Sequence, residues 1–314
     1  MKRARIWWRL GTILLGTGTL LVAFVAFQLW GTALYTDHAQ SNLRKQVGHE
    51  IGRSSLPLAA LKSARPGVDP KGSGLPAVAT SVAPTTAAPA VGQPIGLIAI
   101  PKLGLDDALV EGTGEAQLQG GPGHYQGTAL PGQAGNAAIA GHRTTFAAPF
   151  YDLNELSKGD PIFVLTKQGL FRYDVSSSEI VSPNDNAVLD AATTPELTLT
   201  TCNPRYSASQ RLVVVAFLDT TTKPGTSVHP PVDPPRTPVQ ASSNSVAGGV
   251  LGGDVLPAVL WGIAVLAGAL VLRLVGRRLP RVFRWASYVV GVPLLLLALF
   301  VCFEHVSLAL PASF

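Results

Sequence analysis

Three long stretches without a charged side chain constrain this chain more than any other feature. Residues 10–36, 255–272 and 285–303 hold no Asp, Glu, Lys or Arg. A helix that crosses a hydrocarbon core about 30 Å thick needs about 20 apolar residues. The first and third runs meet that length and the second sits at its short end, so the three read as transmembrane helices. The first run starts from a basic head (Lys2, Arg3, Arg5, Arg9), as a secretory signal would. It is long for the apolar region of a signal, and no clear A-x-A cleavage site follows Trp30, so it reads as an uncleaved anchor.

Charge sets the orientation of these spans. The head, residues 1–9, and the loop of residues 273–284, with Arg273, Arg277, Arg278, Arg281 and Arg284, contain no acid. Both belong on the cytoplasmic side by the positive-inside rule. One crossing separates the head from the middle of the chain and a second leads to the arginine loop. Residues 37–254 are therefore expected outside the cell membrane, and the tail, residues 304–314, emerges outside as well. The net charge of +5 has its source in the two basic clusters, and the remainder of the chain is acidic on balance. The basic isoelectric point reports membrane orientation, and no nucleic-acid-binding face is expected.

The outer region has three parts. Residues 37–94 are expected to form an extracellular linker. Within it, 38–65 mix polar and apolar residues with some helical character, and 66–94 are mostly Pro, Ala, Thr, Gly and Val, a composition that does not build a core. Treated as flexible coil, residues 38–91 would span about 40 Å. Residues 95–222 differ: IGLIAI, AAIAGH, PIFVLT, LFRYDVSSSEIV, ELTLTT and RLVVVAFL are short runs rich in apolar and β-branched residues, punctuated by Gly, Pro, Asn or Asp. Helical periodicity is scarce, apart from a turn at FYDLNELSKG with Leu153 and Leu156 three residues apart. Many short strands predict an all-β domain, a barrel or a sandwich. Residues 223–254, rich in Pro, Ser and Gly, read as a second linker back to the membrane.

The chain has two cysteines, Cys202 and Cys302. Cys302 lies at the outer edge of the third span, where a thiol serves to fill space. Cys202 is alone in the exported region, so no disulfide can form within it, and a lone thiol in an oxidising compartment invites a chemical explanation. His142 in AIAGHRTTF, Cys202 in TLTTCNP and Arg211 in SQRLVVVA each stand at the end or start of a predicted strand, where side chains can converge on a barrel rim. A thiol attacks an acyl carbon as thiolate. An imidazole can take its proton and return one to a leaving amine. A guanidinium stays charged and can donate to the oxyanion of a tetrahedral intermediate. The three form a chemically complete set for acyl transfer.

The strings around them are more specific than the residue types. Thr198-Leu199-Thr200-Thr201-Cys202 matches the TLxTC signature of sortases, with Arg211 at the start of the next strand. Upstream, GPGHYQGTALPGQAGNAAIAGHRTTFAAPFYDLNEL resembles the stretch that ends in the sortase catalytic histidine, and the details are most similar to the class E group of actinobacteria. The resemblance covers about residues 95–220. It implies a sortase-type eight-stranded β-barrel carried by one N-terminal and two C-terminal transmembrane helices. It further implies cleavage of an LPxTG- or LAxTG-type sorting signal on surface proteins, a thioester on the enzyme, and transfer to an amine of a lipid II-type peptidoglycan precursor. By match to the motifs, Cys202 is the nucleophile, His142 the general acid and base, and Arg211 the oxyanion or substrate donor. Thr201 and His124, the latter in GPGHY, are candidates for substrate contact. Two C-terminal spans depart from the family's simpler plans, and Asn203-Pro204 stands where a histidine is common.

Other readings fit less well. Arg211 could instead pair with Asp219 or Glu196. EGTGEAQLQGGPG is glycine-rich but lacks the Lys-Ser/Thr that follows a phosphate loop. His124, His142 and Cys202 lack the close ligand pairs of a zinc site, and no dense acidic loop indicates calcium, so no cofactor is expected. An L,D-transpeptidase would show Ser-His-Gly-Cys, and a papain-like or NlpC-type peptidase would place its cysteine before its histidine. The alternative of another class is a non-catalytic, membrane-anchored envelope scaffold that retains the barrel.

Overall fold

The computed structural model describes residues 2–61, 64, 74–220, 255–278 and 281–309. The linker expected at residues 223–254 and the end of the chain from residue 310 lie outside the described residues. In chain order the helices are α1 (Lys2–Ala26), α2 (Thr32–Ile51), α3 (Leu58–Leu61), α4 (Glu115–Gly120), α5 (Val255–Arg278) and α6 (Arg281–Ala309). The strands are β1 (Pro94–Ile100), β2 (Leu105–Glu111), β3 (Gly123–His124), β4 (Asn136–Ala140), β5 (Pro161–Thr166), β6 (Gly169–Val181), β7 (Glu196–Asn203) and β8 (Gln210–Leu218). The residues divide into two compact units. One takes the chain up to Thr32 together with α5 and α6, and the other starts at Ala33 and includes the barrel.

The eight strands close into a barrel in the order β1-β2-β3-β4-β7-β8-β6-β5. Closure removes the exposed strand edges that an open sheet would leave. Alternate side chains of each strand point inward, and Ile98, Ile100, Ile139, Ile162, Val164, Leu197, Leu199 and Val214 pack there with Phe171 and Tyr173. The outward residues of β1, β2, β5 and β6 are just as apolar: Leu97, Ala99, Ala108, Phe163, Leu165 and Leu170 belong to a second buried cluster. Both faces of this part of the barrel are therefore covered, which is why IGLIAI and PIFVLT are apolar almost throughout.

The cover is the segment expected to be a linker. Val47 of α2, Leu56, Leu61 of α3, Ala64, Leu75 and Val78 fill the outer cluster. Gln40 fastens α2 to the barrel: its Nε2 donates to the carbonyls of Ala108 (3.0 Å) and Gly120 (2.9 Å), and its Oε1 accepts from Ala108 N (2.8 Å). Gly121, at φ +141°, leaves room for that amide, since a Cβ there would lie 2.1 Å from Gln40 Nε2. Arg44 pairs with Asp106 (3.3 Å) and Asp107 (3.4 Å) of β2 and donates to Ser54 O (2.8 Å). Arg172 of β6 reaches outward to donate to Ala64 O (2.6 Å) and pairs with Asp174 and Asp219. Beyond Leu75 the chain lies along the barrel, with Ala79 N donating to Leu170 O and Ala83 N to Gly132 O, both at 2.7 Å. The described part of residues 37–94 is thus a packed layer; its proline-rich composition needs no helix or sheet when the barrel itself supplies hydrogen-bond partners.

In the other unit, α5 and α6 carry apolar stretches long enough to cross a membrane, Leu256–Val275 and Tyr288–Val306, and α1 carries a shorter one, Leu14–Ala26. Helix α1 gives way to a π-helical turn at Phe27–Gly31 within the uncharged run, and Thr36 donates to Gln119 O of the barrel unit (2.8 Å). Phe24 and Phe27 meet Phe303 and Phe300 edge-on, at 5.2 and 5.1 Å between ring centres. The arginine loop is shorter than residues 273–284, because α5 continues through Arg278 and α6 begins at Arg281. Likewise α6 runs on to Ala309, into the expected tail.

Candidate active site

Three adjacent strands bring the reactive residues to one rim. β4 and β7 are parallel, with Ala140 opposite Thr200 as their last pair. Two residues further along each strand come His142 and Cys202. β8 returns antiparallel, and its Arg211 sits directly opposite Cys202. The motif thus works through register: histidine, cysteine and arginine leave neighbouring strands side by side at the same end of the barrel.

Local contacts hold that register. Gly141 N donates to Thr200 O (3.1 Å), and Thr201 Oγ1 donates to Gly141 O (2.7 Å). Thr201 is buried and spends its hydroxyl on this bond. Its place in the structure is between the strands that lead to His142 and Cys202. Gly141 must be glycine for a steric reason, since a Cβ would stand 2.7 Å from the Phe150 ring. Tyr125 OH lies 3.2 Å from Thr200 Oγ1 on the same rim.

Cys202 is 7% exposed and His142 3%. Arg211 Nη1 is 3.8 Å from Cys202 Sγ and donates to Ala208 O (3.3 Å). The acids weighed as its partners lie elsewhere: Asp219 pairs with Arg172, and Glu196 is a buried residue at the opposite end of β7. Burial pushes the Cys202 thiol above its ordinary range, while the positive charges of Arg211 and Arg143 pull it down. Burial also pushes the His142 imidazole down to about 4. Both effects penalise the charged form of each group. Both shifts run toward the neutral forms of the thiol and the imidazole.

Sequence reasoning passed over Arg143. Its Nη1 donates to Cys202 O (2.9 Å) and Asn203 Oδ1 (2.7 Å), and its Nη2 to Asn154 Oδ1 (2.9 Å). Arg205 answers from the other side, its guanidinium 4.1 Å over the Tyr151 ring and its Nη2 2.7 Å from Asp152 Oδ1. Two arginines thus cross-tie the loop that follows His142 to the turn that follows Cys202. The signal was the arginine adjoining His142, but its partners are a carbonyl and two amides that only the fold places.

His124 lies in the barrel wall. It is fully buried in β3, with Nδ1 2.8 Å from Glu111 Oε2 and Nε2 2.8 Å from Ala129 O and 3.0 Å from Thr128 Oγ1. Both ring nitrogens are spent inside the barrel wall.

Comparison with known proteins agrees with this geometry. A profile of the Sortase domain matches residues 98–219. Sortase SrtE1 of Streptomyces coelicolor is 32% identical over 224 residues, 65% of this chain and 55% of that protein. Sortase D of Bacillus subtilis is 36% identical over 117 residues, 37% of this chain and 58% of that protein. The alignments thus span little more than half the length of these curated relatives. A solved structure of a sortase E mutant from Streptomyces avermitilis is 35% identical, with 44% of this chain and 98% of that chain covered at a TM-score of 0.39. Residues 98–219 are a sortase domain, which puts the chain in the sortase family, with a likeness to the Streptomyces class E members.

Proposed function

We propose that this chain is a membrane-anchored cysteine transpeptidase that cuts an LPxTG- or LAxTG-type sorting signal and joins the released carboxyl end to an amine of a lipid II-type peptidoglycan precursor. The observation that carries the reading is the pairing of Cys202 with Arg211, Sγ to Nη1 at 3.8 Å, on the strand beside the one that leads to His142. His142 takes the thiol proton as Cys202 Sγ attacks the scissile carbonyl, and a C–S bond forms. Arg211 donates to the oxyanion, a role that needs a permanent cation on the rim. The C–N bond then breaks, His142 gives its proton to the leaving amine, and the acyl group stays on Cys202 as a thioester. An incoming amine reverses the sequence: it loses a proton to His142, forms the new amide, and returns the sulfur to its thiol.

The remaining features support the setting. The two long apolar helices favour membrane anchoring, and the arginines at the junction of α5 and α6 favour a cytoplasmic position for it. The barrel would then face outward, where surface proteins bearing sorting signals arrive. The test is turnover of LPxTG and LAxTG peptides by the purified full-length chain with an added amine. Wild type is expected to cleave and transfer at least one of them, and Cys202→Ala to lose both activities. Equal turnover in the two proteins would remove Cys202 from the reaction.

A further inference from the structure

The loop after His142 contains a backbone that its sequence does not favour. Phe146, Ala147 and Ala148 stand in succession at φ of 51°, 59° and 45°. Left-handed conformations crowd the Cβ of an L-residue against the following carbonyl, and three in a row without glycine persist only where the surroundings enforce them. The enforcing contacts converge on Phe146. Its ring lies 5.1 Å from the His142 ring at 33°, and the Tyr35 ring of α2 meets it edge-on at 6.4 Å and 78°. Phe146 is 7% exposed. Neighbouring bonds close the turn: Ala148 N donates to Thr145 O (2.9 Å) and Phe150 N to His142 O (3.1 Å). Thr36, next to Tyr35, is fixed to Gln119 O, so α2 presents Tyr35 from a docked position.

We propose that Phe146 is a positioning residue: held by Tyr35 of the docked helix α2, its ring closes over His142 and keeps water from the imidazole, so that the acyl-enzyme is passed to an amine rather than hydrolysed. Two transfers compete at the thioester. In each, the C–S bond to Cys202 breaks as a C–N or C–O bond forms, and His142 passes the nucleophile's proton to the departing sulfur. A ring that covers His142 except when an acceptor has displaced it selects against water, which cannot pay for moving the turn. The inference rests on the reading of Cys202 as the acyl carrier, but shielding of His142 can be measured without turnover.

The experiment uses full-length protein in detergent and four substitutions: Phe146→Ala, Phe146→Leu, Tyr35→Ala and Tyr35→Phe. The first readout is the rate of diethyl pyrocarbonate modification at His142, resolved by peptide mass, with exposed His38 and buried His124 as internal references. The second is the ratio of hydrolysis to aminolysis for a cleaved sorting peptide. A ring–ring contact shifts an opening equilibrium by between about threefold and tenfold. Tyr35→Ala should speed His142 modification by about that factor and raise the hydrolysis ratio in step. Phe146→Ala should do so by about tenfold or more, because it removes both contacts. Phe146→Leu should fall between, and Tyr35→Phe, which keeps the ring, should match wild type. Wild-type His142 rates in both alanine variants would overturn the inference while leaving the transpeptidase reading to its own test. Should Phe146→Ala also expose His124, the Tyr35 pair decides: equal His142 rates in Tyr35→Ala and Tyr35→Phe would overturn it.

Discussion

Cys202 and His142 sit in opposition to their solution chemistry. Burial raises the thiol and lowers the imidazole to about 4 from an ordinary value of 6.5. Both shifts favour the neutral forms across the neutral range. The kcat/KM profile should be flat from about pH 5.5 to about pH 8, with its acid limb near the lowered imidazole value. A step centred near 6.5 would show an exposed, ordinary histidine. The sign for folding is the same: the neutral imidazole favoured by the fold gives stability that is full above the ordinary value and is lost as pH falls through about 4. The histidine, cysteine and arginine were legible because short strings around them matched a known pattern. Arg143 and Phe146 were not, since one acts on carbonyl and amide oxygens and the other through a left-handed turn, neither of which leaves a mark in residue type.

At the level of elements, the strands were legible and their covering was not. Runs such as IGLIAI are apolar almost throughout because both their faces are covered, and the described part of residues 37–94 supplies the cover. Their composition pointed the other way because α2 docks largely through polar side chains, Thr36, Gln40 and Arg44, which look solvent-exposed in a sequence. The extended stretch after Leu75 hides its role for a related reason, since prolines that cannot donate a hydrogen bond still lie well along a barrel surface. If the covering is part of the fold, Leu61→Ala, at a fully buried position, should cost about 2–5 kcal/mol in chemical unfolding. A flexible linker would give a change near zero. The result bears on fragment design as well, because a protein beginning at residue 91 would leave Leu97, Phe163 and Leu165 exposed.

Across the whole molecule, two kinds of sequence information served two units. Uncharged runs mark the helical unit, where α5 and α6 carry apolar stretches long enough to cross a membrane; alternating and continuous apolar runs mark the barrel, which closes as expected for an all-β domain. The limits of each unit were less legible, because hydropathy does not distinguish the last turn of a span from the first turn of a docked helix, as Thr36 shows. If Cys202 carries an acyl group between two amines, the intermediate can be trapped by incubating the full-length chain with an LPxTG or LAxTG peptide without an added amine, quenching in acid, and measuring the intact mass and the labelled peptide. A hydroxylamine-sensitive adduct is expected on Cys202, with the mass of the peptide up to and including its threonine, and absent in Cys202→Ala. Cleavage of the peptide with no adduct on Cys202, and undiminished in Cys202→Ala, would contradict that role.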